Sequence, residues 1–461
     1  MLTPAGAARE SPGDYDLGTC MTASLDRLFR LTERGTSVRT EITAGITTFL
    51  TMAYIVAVNP AILGLAGMPV AGVAAATCFS AAVASILMGC VANVPLALAP
   101  GMGLNAYFTF TVVQQMHVPW PVALGCVFLS GCCFMVLTLA GVRRMIVAAI
   151  PKSLFAAVAG GIGLFIAFIG LRNAGIVVSD HDTSVALGDL KTPTAALAIL
   201  GLVLIVALTA WRVKGAMLIG ILAVTLAGWA AGAVHVAPAP YSLSALGETA
   251  FALDLGGAFR LGGGGLVAMA EIVFVFLFVD VFDNIGALVA VTRRAGLQTP
   301  DGEIPQLNRI LIADAAASMI GALAGTSTVT SYVESAAGVQ AGGRTGLTAI
   351  VTGLLFLAAM FAAPFAQAVP LAATAPALIL VGALMMAPVA EIAWDDPVQA
   401  LPGFLTLIMI PLTFSIANGL AFGVTAYAAI KLIRREARLG DWLLFLLAGL
   451  FVVRFVYMSA A

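Results

Sequence analysis

Charge is what this chain has least of. Lysine, arginine, aspartate and glutamate make up 10% of its 461 residues, against about a quarter in an ordinary soluble domain. That shortage excludes an ordinary water-facing surface, and a net charge of −1 offers no basic face for nucleic acid. Histidine is scarcer still: His117, His181 and His235 are the three present, and none has the HExxH spacing of a metal site. Five of the six cysteines (Cys78, Cys90, Cys126, Cys132 and Cys133) lie in apolar runs without metal-cage or disulfide-framework spacing, so they read as small apolar fillers. Without a nucleophile–base pair or a metal set, neither an enzyme nor a cofactor is expected.

What fills the chain instead is apolar sequence, 61% of it. Long apolar runs recur from Ile42 to Met458, most of them long enough as helices to cross a hydrocarbon core of about 30 Å. The alternating segments of about ten residues that mark a membrane β-barrel are missing. The pattern predicts an all-α polytopic membrane protein with fourteen spans: 42–63, 70–92, 95–115, 120–141, 153–171, 194–211, 215–234, 265–291, 308–325, 327–341, 346–364, 371–389, 403–417 and 419–434. Residues 1–40 are polar and carry no secretory apolar segment. Met21 resembles a natural start, and Leu25–Thr32 has the spacing of a short amphipathic surface helix. Residues 435–461 form a C-terminal amphipathic or interfacial segment, in which Arg454 interrupts the apolar run Trp442–Met458.

Loop charge orients the spans. With the N-terminus inside, nineteen of the twenty-two lysines and arginines fall on the inner side; the outer side holds Arg172, Lys191 and Arg260. Such a bias places both termini in the cytoplasm, here of a plasma membrane read as a bacterial inner membrane. It requires a tight turn at Ile416-Ala-Asn-Gly419 between two short spans, which Asn-Gly permits.

Seven spans in each half invert the second half relative to the first, the layout of an inverted-repeat transporter. The third span carries Ala99-Pro-Gly-Met-Gly-Leu-Asn105, and its counterpart carries Thr326-Ser-Thr-Val-Thr-Ser-Tyr-Val-Glu334. Paired, interrupted spans at matching positions point to a binding site at the membrane middle.

Carboxylates stand in these same spans. One at the bilayer centre costs about 2.5–3.5 kcal/mol on insertion scales, yet Asp280 and Asp283 sit three residues apart on one helical stretch. Glu334 lies in the matching interrupted span, and no lysine or arginine within a span neutralises the three. They are the candidate functional acids. Asp314, six residues into its span, reads as a helix-end residue, and Glu271, about half a turn round the helix from Asp280, receives no role. Asn105 is equally readable as a cap or a ligand. If Thr330–Ser335 is extended, Tyr332 and Glu334 point the same way and set a ring beside an acid.

At these residues a resemblance emerges. TAGITTFLTMAYIVAVNPAIL (43–63), ALAPGMGLNAYF (97–108), FLFVDVFDNIGAL (276–288) and SYVESAAGVQAGGRTGLTA (331–349) resemble the nucleobase:cation symporter-2, or xanthine/uracil permease, family, in its azaguanine/hypoxanthine/guanine/adenine permease branch. The resemblance runs from about Arg39 to about Tyr457. It implies a 7+7 inverted repeat with core and gate domains and short extended strands in broken spans 3 and 10. The core would take residues 41–141 and 264–364, the gate 142–235 and 365–434. Carried over by motif, Asp280 and Glu334 would bind the base, with Tyr332 beside them and Asn105 shaping the site. Asp283, together with Glu334, would serve proton coupling. One departure stands out: the branch reads Asp-Thr-x-Gly-Thr where this chain reads Asp283-Asn284-Ile285-Gly286-Ala287, which puts the purine preference in question.

The chemistry fits independently. Ionised carboxylates only accept hydrogen bonds and suit the N–H edge of a purine. A carboxylate in a poorly hydrated site takes up protons more readily. One charge moved down about 100 mV supplies about 2.3 kcal/mol, about fiftyfold accumulation. The expectation is a secondary active importer of hypoxanthine, guanine or adenine by proton symport, with elevator-like alternating access. Its partners are the purine base, the proton and the lipid bilayer, with a homodimer allowed. Xanthine or uracil as substrate, or sodium as coupling ion, remain the alternatives. A channel is disfavoured because the polar residues converge on one point instead of lining a pore.

Overall fold

The computed structural model describes residues 24–141, 151–232, 244–260, 265–299, 304, 306–436 and 441–458; the expected start at Met21 and both chain ends lie outside them. Among the described residues, nine helical stretches are long and apolar enough to cross a membrane. The stretches 216–230, 346–362 and 397–413 are shorter apolar helices. Their starts follow ordinary capping chemistry. Ser37 accepts from Thr40 N ahead of Val38–Met52, and Thr192 accepts from Ala195 N with Pro193 at the first helical position.

Two groups of helices pack separately. Helix Gly346–Ala359 lies on Val70–Ala92 and Val38–Met52, and Leu307–Ala324 lies on Val70–Ala92 and Trp120–Leu139. In the other group Lys152–Asn173 packs on Leu371–Leu384 and Pro397–Thr413, which in turn meets Ile416–Ile433. Small residues allow the close approach. A Cβ on Gly353 would stand 2.7 Å from Ala82 O, and one on Gly163 2.6 Å from Gly382 O. In the first group a buried acid adds to a local cap, in which Thr345 Oγ1 accepts from Leu347 N. Glu41 accepts from Arg344 N at 2.8 Å and, through its other oxygen, from Thr348 N at 3.2 Å and Thr348 Oγ1 at 2.6 Å. It thereby satisfies the free end of helix Gly346–Ala359 from a different span.

The structure corrects two local expectations. The tight turn before the last long span falls at Phe414–Ser415, and Asn418-Gly419 lies inside the helix that follows. Phe414 takes the left-handed conformation (φ 52°) and Ser415 caps Asn418 N, so the Asn-Gly pair is not needed to reverse the chain. Thr330–Ser335 is not extended throughout either: the strand ends at Ser331 and helix begins at Ser335. At the amphipathic N-terminal segment, residues 24–29 are helical, and Phe29 and Leu31 bury against Leu347. Trp442–Met458 is helical too, and a 2.7 Å ion pair between Lys431 and Asp441 ties its start to the preceding helix.

Candidate functional site

Both interrupted spans contain a three-residue strand, and the strands pair. Strand β1 (Leu98–Pro100) runs antiparallel to strand β4 (Val329–Ser331), with Ala99 opposite Thr330; β2 (Val177–Asp180) and β3 (Ser184–Leu187) form a separate hairpin. Non-helical backbone at membrane depth must find its partners inside the protein, and here it does. Gly101 N donates to Thr328 O and Tyr332 N to Ala97 O, while Ser85 Oγ meets Leu98 on both its N–H and its carbonyl. Asn105, fully buried, accepts through its carboxamide oxygen from Ser327 Oγ and so joins the two interrupted spans by side chain as well.

Around this strand pair the acids take different positions. Glu334 is half-buried just before helix Ser335–Gln340, and its Oε1 accepts from the Tyr54 hydroxyl at 2.9 Å. Asp283 is also half-buried, with Oδ2 3.9 Å from where a Cβ on Gly103 would stand. Asp280 is 1% exposed and is not brought to the same opening; its Oδ2 accepts from Ser318 Oγ at 2.9 Å, behind the strand. Tyr332 is buried, and its hydroxyl donates to Pro100 O at 2.5 Å. None of Asp280, Asp283 and Glu334 is ion-paired to a lysine or arginine among the described residues. No group of three His, Cys, Asp or Glu there could hold a metal ion.

Two residues of this region escaped the sequence. Asp314 is no helix-end residue. It is wholly buried two turns into Leu307–Ala324 and accepts from Ser331 Oγ at 3.0 Å, which also receives Asn284 Nδ2 at 3.4 Å. Distance from the helix start was the available signal, and the strand hydroxyl that holds the acid lies on another element. Tyr54 was read as part of an apolar span. The span breaks at Ala53–Tyr54, between helices Val38–Met52 and Ile55–Gly64, and the break delivers the phenol to Glu334, 280 residues along the chain. Nothing in local periodicity signals that pairing.

Where the two helix groups meet, Ile162 stands against Gly103. Thr111 Oγ1 donates to Phe414 O at 2.6 Å across the same seam. Beside it an open cavity of about 550 Å³ is lined by Phe110, Gln114, Arg172, Asn173 and Phe414 among others. Lys214, just before helix Ala216–Ala230, which packs on Leu371–Leu384 of the second group, reaches Thr47 Oγ1 through Nζ at 3.1 Å, another point between the groups. The arrangement sets two half-buried carboxylates around the paired strands, acceptors that when ionised suit a small molecule with an N–H edge.

Comparison with known proteins agrees with this architecture. The xanthine/uracil permease model, described as Permease family, matches residues 39–422. Adenine permease AdeP of Escherichia coli (strain K12) is 43% identical, over 95% of this chain and 97% of its own. Guanine/hypoxanthine permease PbuG of Bacillus subtilis (strain 168) is 44% identical, over 94% of this chain and 99% of its own. Among solved structures, the transmembrane domain of the cyanobacterial bicarbonate transporter BicA superposes with a TM-score of 0.64 at 15% identity, covering 82% of this chain and 97% of that one. That likeness concerns the fold.

Proposed function

We propose, from the premise that this chain belongs to the xanthine/uracil permease family, that it imports purine nucleobases by proton symport. The observation that carries the proposal is the pair of half-buried acids, Asp283 and Glu334, beside the paired strands of two interrupted spans. A neutral purine presents N–H donors along one edge, and carboxylates accept them without competing donors. Two relatives named for adenine and for guanine/hypoxanthine support the purine class. Asp283 thereby takes a base-facing place beside Glu334, Tyr332 supplies a ring, and Asn105 holds the interrupted spans in register. Asp280 acts from behind the strand.

Proton coupling is supported by acids without an ion-pair partner among the described residues, in an apolar setting, where a carboxylate that must be neutral or occupied before crossing a barrier links base movement to proton movement. The two helix groups are proposed to be core and gate, the core carrying the strand-borne site past the gate. Contacts such as Thr111–Phe414 and Lys214–Thr47 span that seam and would break and re-form in the cycle. The chain is further proposed to lie in a bacterial inner membrane with cytoplasmic termini, on the loop-charge asymmetry.

The test is uptake of labelled hypoxanthine, guanine, adenine, xanthine and uracil into cells lacking their own carriers, with and without a protonophore. Purine accumulation abolished by the protonophore is expected. Accumulation of uracil alone, or accumulation that follows sodium and ignores the protonophore, would overturn it.

A further inference from the structure

Glu334, one of the two acids proposed to face the base, has one oxygen already engaged. Tyr54 is 1% exposed, and its hydroxyl donates to Glu334 Oε1 at 2.9 Å. Tyr332, the other nearby phenol, spends its hydroxyl on Pro100 O. No other side chain among the described residues donates a hydrogen bond to the Glu334 carboxylate, and the residue is half-buried, so one oxygen is oriented by Tyr54 while no other side chain claims the second.

The segment bearing Tyr54 is anchored independently. Five residues on, Asn59 Nδ2 donates to Thr77 Oγ1 at 2.7 Å and to Thr326 Oγ1 at 2.9 Å, fastening helix Ile55–Gly64 to the segment that leads into β4. The phenol is thus held by a fixed element, while the acid sits in the turn between strand and helix. A long acidic side chain otherwise has several rotamers to lose on binding, and a fixed donor removes that freedom in advance.

We infer that Tyr54 is a positioning residue for substrate: it holds Glu334 in the rotamer that presents its second oxygen to the base. This rests on the proposed purine binding at Glu334. Loss of the hydroxyl leaves the ring packing, the anchor at Asn59 and the seam intact, and loosens only the acid.

The experiment measures binding of labelled hypoxanthine to purified protein, with uptake kinetics alongside. Tyr54→Phe should raise Kd and KM about tenfold, the worth of one hydrogen bond to a carboxylate, with the maximal uptake rate unchanged within about twofold. A structural role would move the other quantity, lowering the maximal rate at constant KM as folded carrier is lost. Pairing variants isolates the contact. In a Glu334→Gln background Tyr54→Phe should cost less than about twofold, and in an Asp283→Asn background it should cost its full tenfold. An equal cost in both backgrounds, an unchanged KM, or a Tyr54→Phe protein that no longer assembles would overturn the inference. If the parent itself binds no base, the proposed function falls with it; a binding parent beside an unaffected Tyr54→Phe removes this inference alone.

Discussion

A Cβ built on Gly103 would lie 2.7 Å from Ile162 Cγ2 and 3.9 Å from Asp283 Oδ2. The glycine stands in an interrupted span of one helix group, the isoleucine in helix Lys152–Asn173 of the other. Gly103→Ala should therefore jam the seam beside the acids. Uptake is expected to fall about tenfold with normal protein in the membrane, the cost of overpacking a close contact. Ile162→Ala combined with it should restore at least half the rate. No rescue would mean the two groups do not slide past each other at this point.

The acids separate by position. Glu334→Gln and Asp283→Asn should each weaken hypoxanthine binding by about one to two decades, because a misdirected donor replaces an acceptor at the base. Asp280→Asn should weaken equilibrium binding less than either, because Asp280 is buried and one of its oxygens is held by Ser318. Direct binding to the three purified variants decides it. A larger loss at Asp280 than at Asp283 would return the base-facing role to Asp280.

Asn284 and Ala287 stand where the resembling branch carries threonines. Asn284 is buried and donates to Ser331 at the end of β4, 3.4 Å away. Asn284→Thr with Ala287→Thr should shift the strand end and so change the ranking of purines while transport continues. Competition of unlabelled bases against labelled hypoxanthine uptake reads the ranking, and an identical order before and after would refute it.

Glu41 should matter for stability. Glu41→Ala leaves the amides of Arg344, Thr345 and Thr348 without their buried acceptor, at about 1–3 kcal/mol for each left unsatisfied. Thermal unfolding of the detergent-solubilised variant should begin several degrees lower, with KM for hypoxanthine in any surviving protein unchanged. An unaltered melting curve would show that other acceptors take over.

Composition and spacing were enough for the membrane class. A charge-poor, 61% apolar chain that lacks the alternating segments of a membrane barrel is left with buried or lipid-facing helices. The two interrupted spans were legible because proline, glycine and hydroxyl runs break helices locally, and the strands lie within them at Leu98–Pro100 and Val329–Ser331. Candidate acids were legible for a similar reason: a carboxylate in apolar text is conspicuous whatever surrounds it.

Which way each acid faces was decided only by the tertiary structure. Asp280 and Asp283 share one helix, and three residues of separation could put both or either toward a ligand. Ser318 on a neighbouring helix donates to the first, while the second is half-buried beside Gly103. Asp314 and Tyr54 acquire partners from Ser331 and Glu334, contacts spanning 17 and 280 residues. Helical periodicity extends over a few turns of one element, whereas these hydrogen bonds exist only after separate spans have packed. The sequence alone determined that polar groups would meet in the membrane; packing determined which of them face one another.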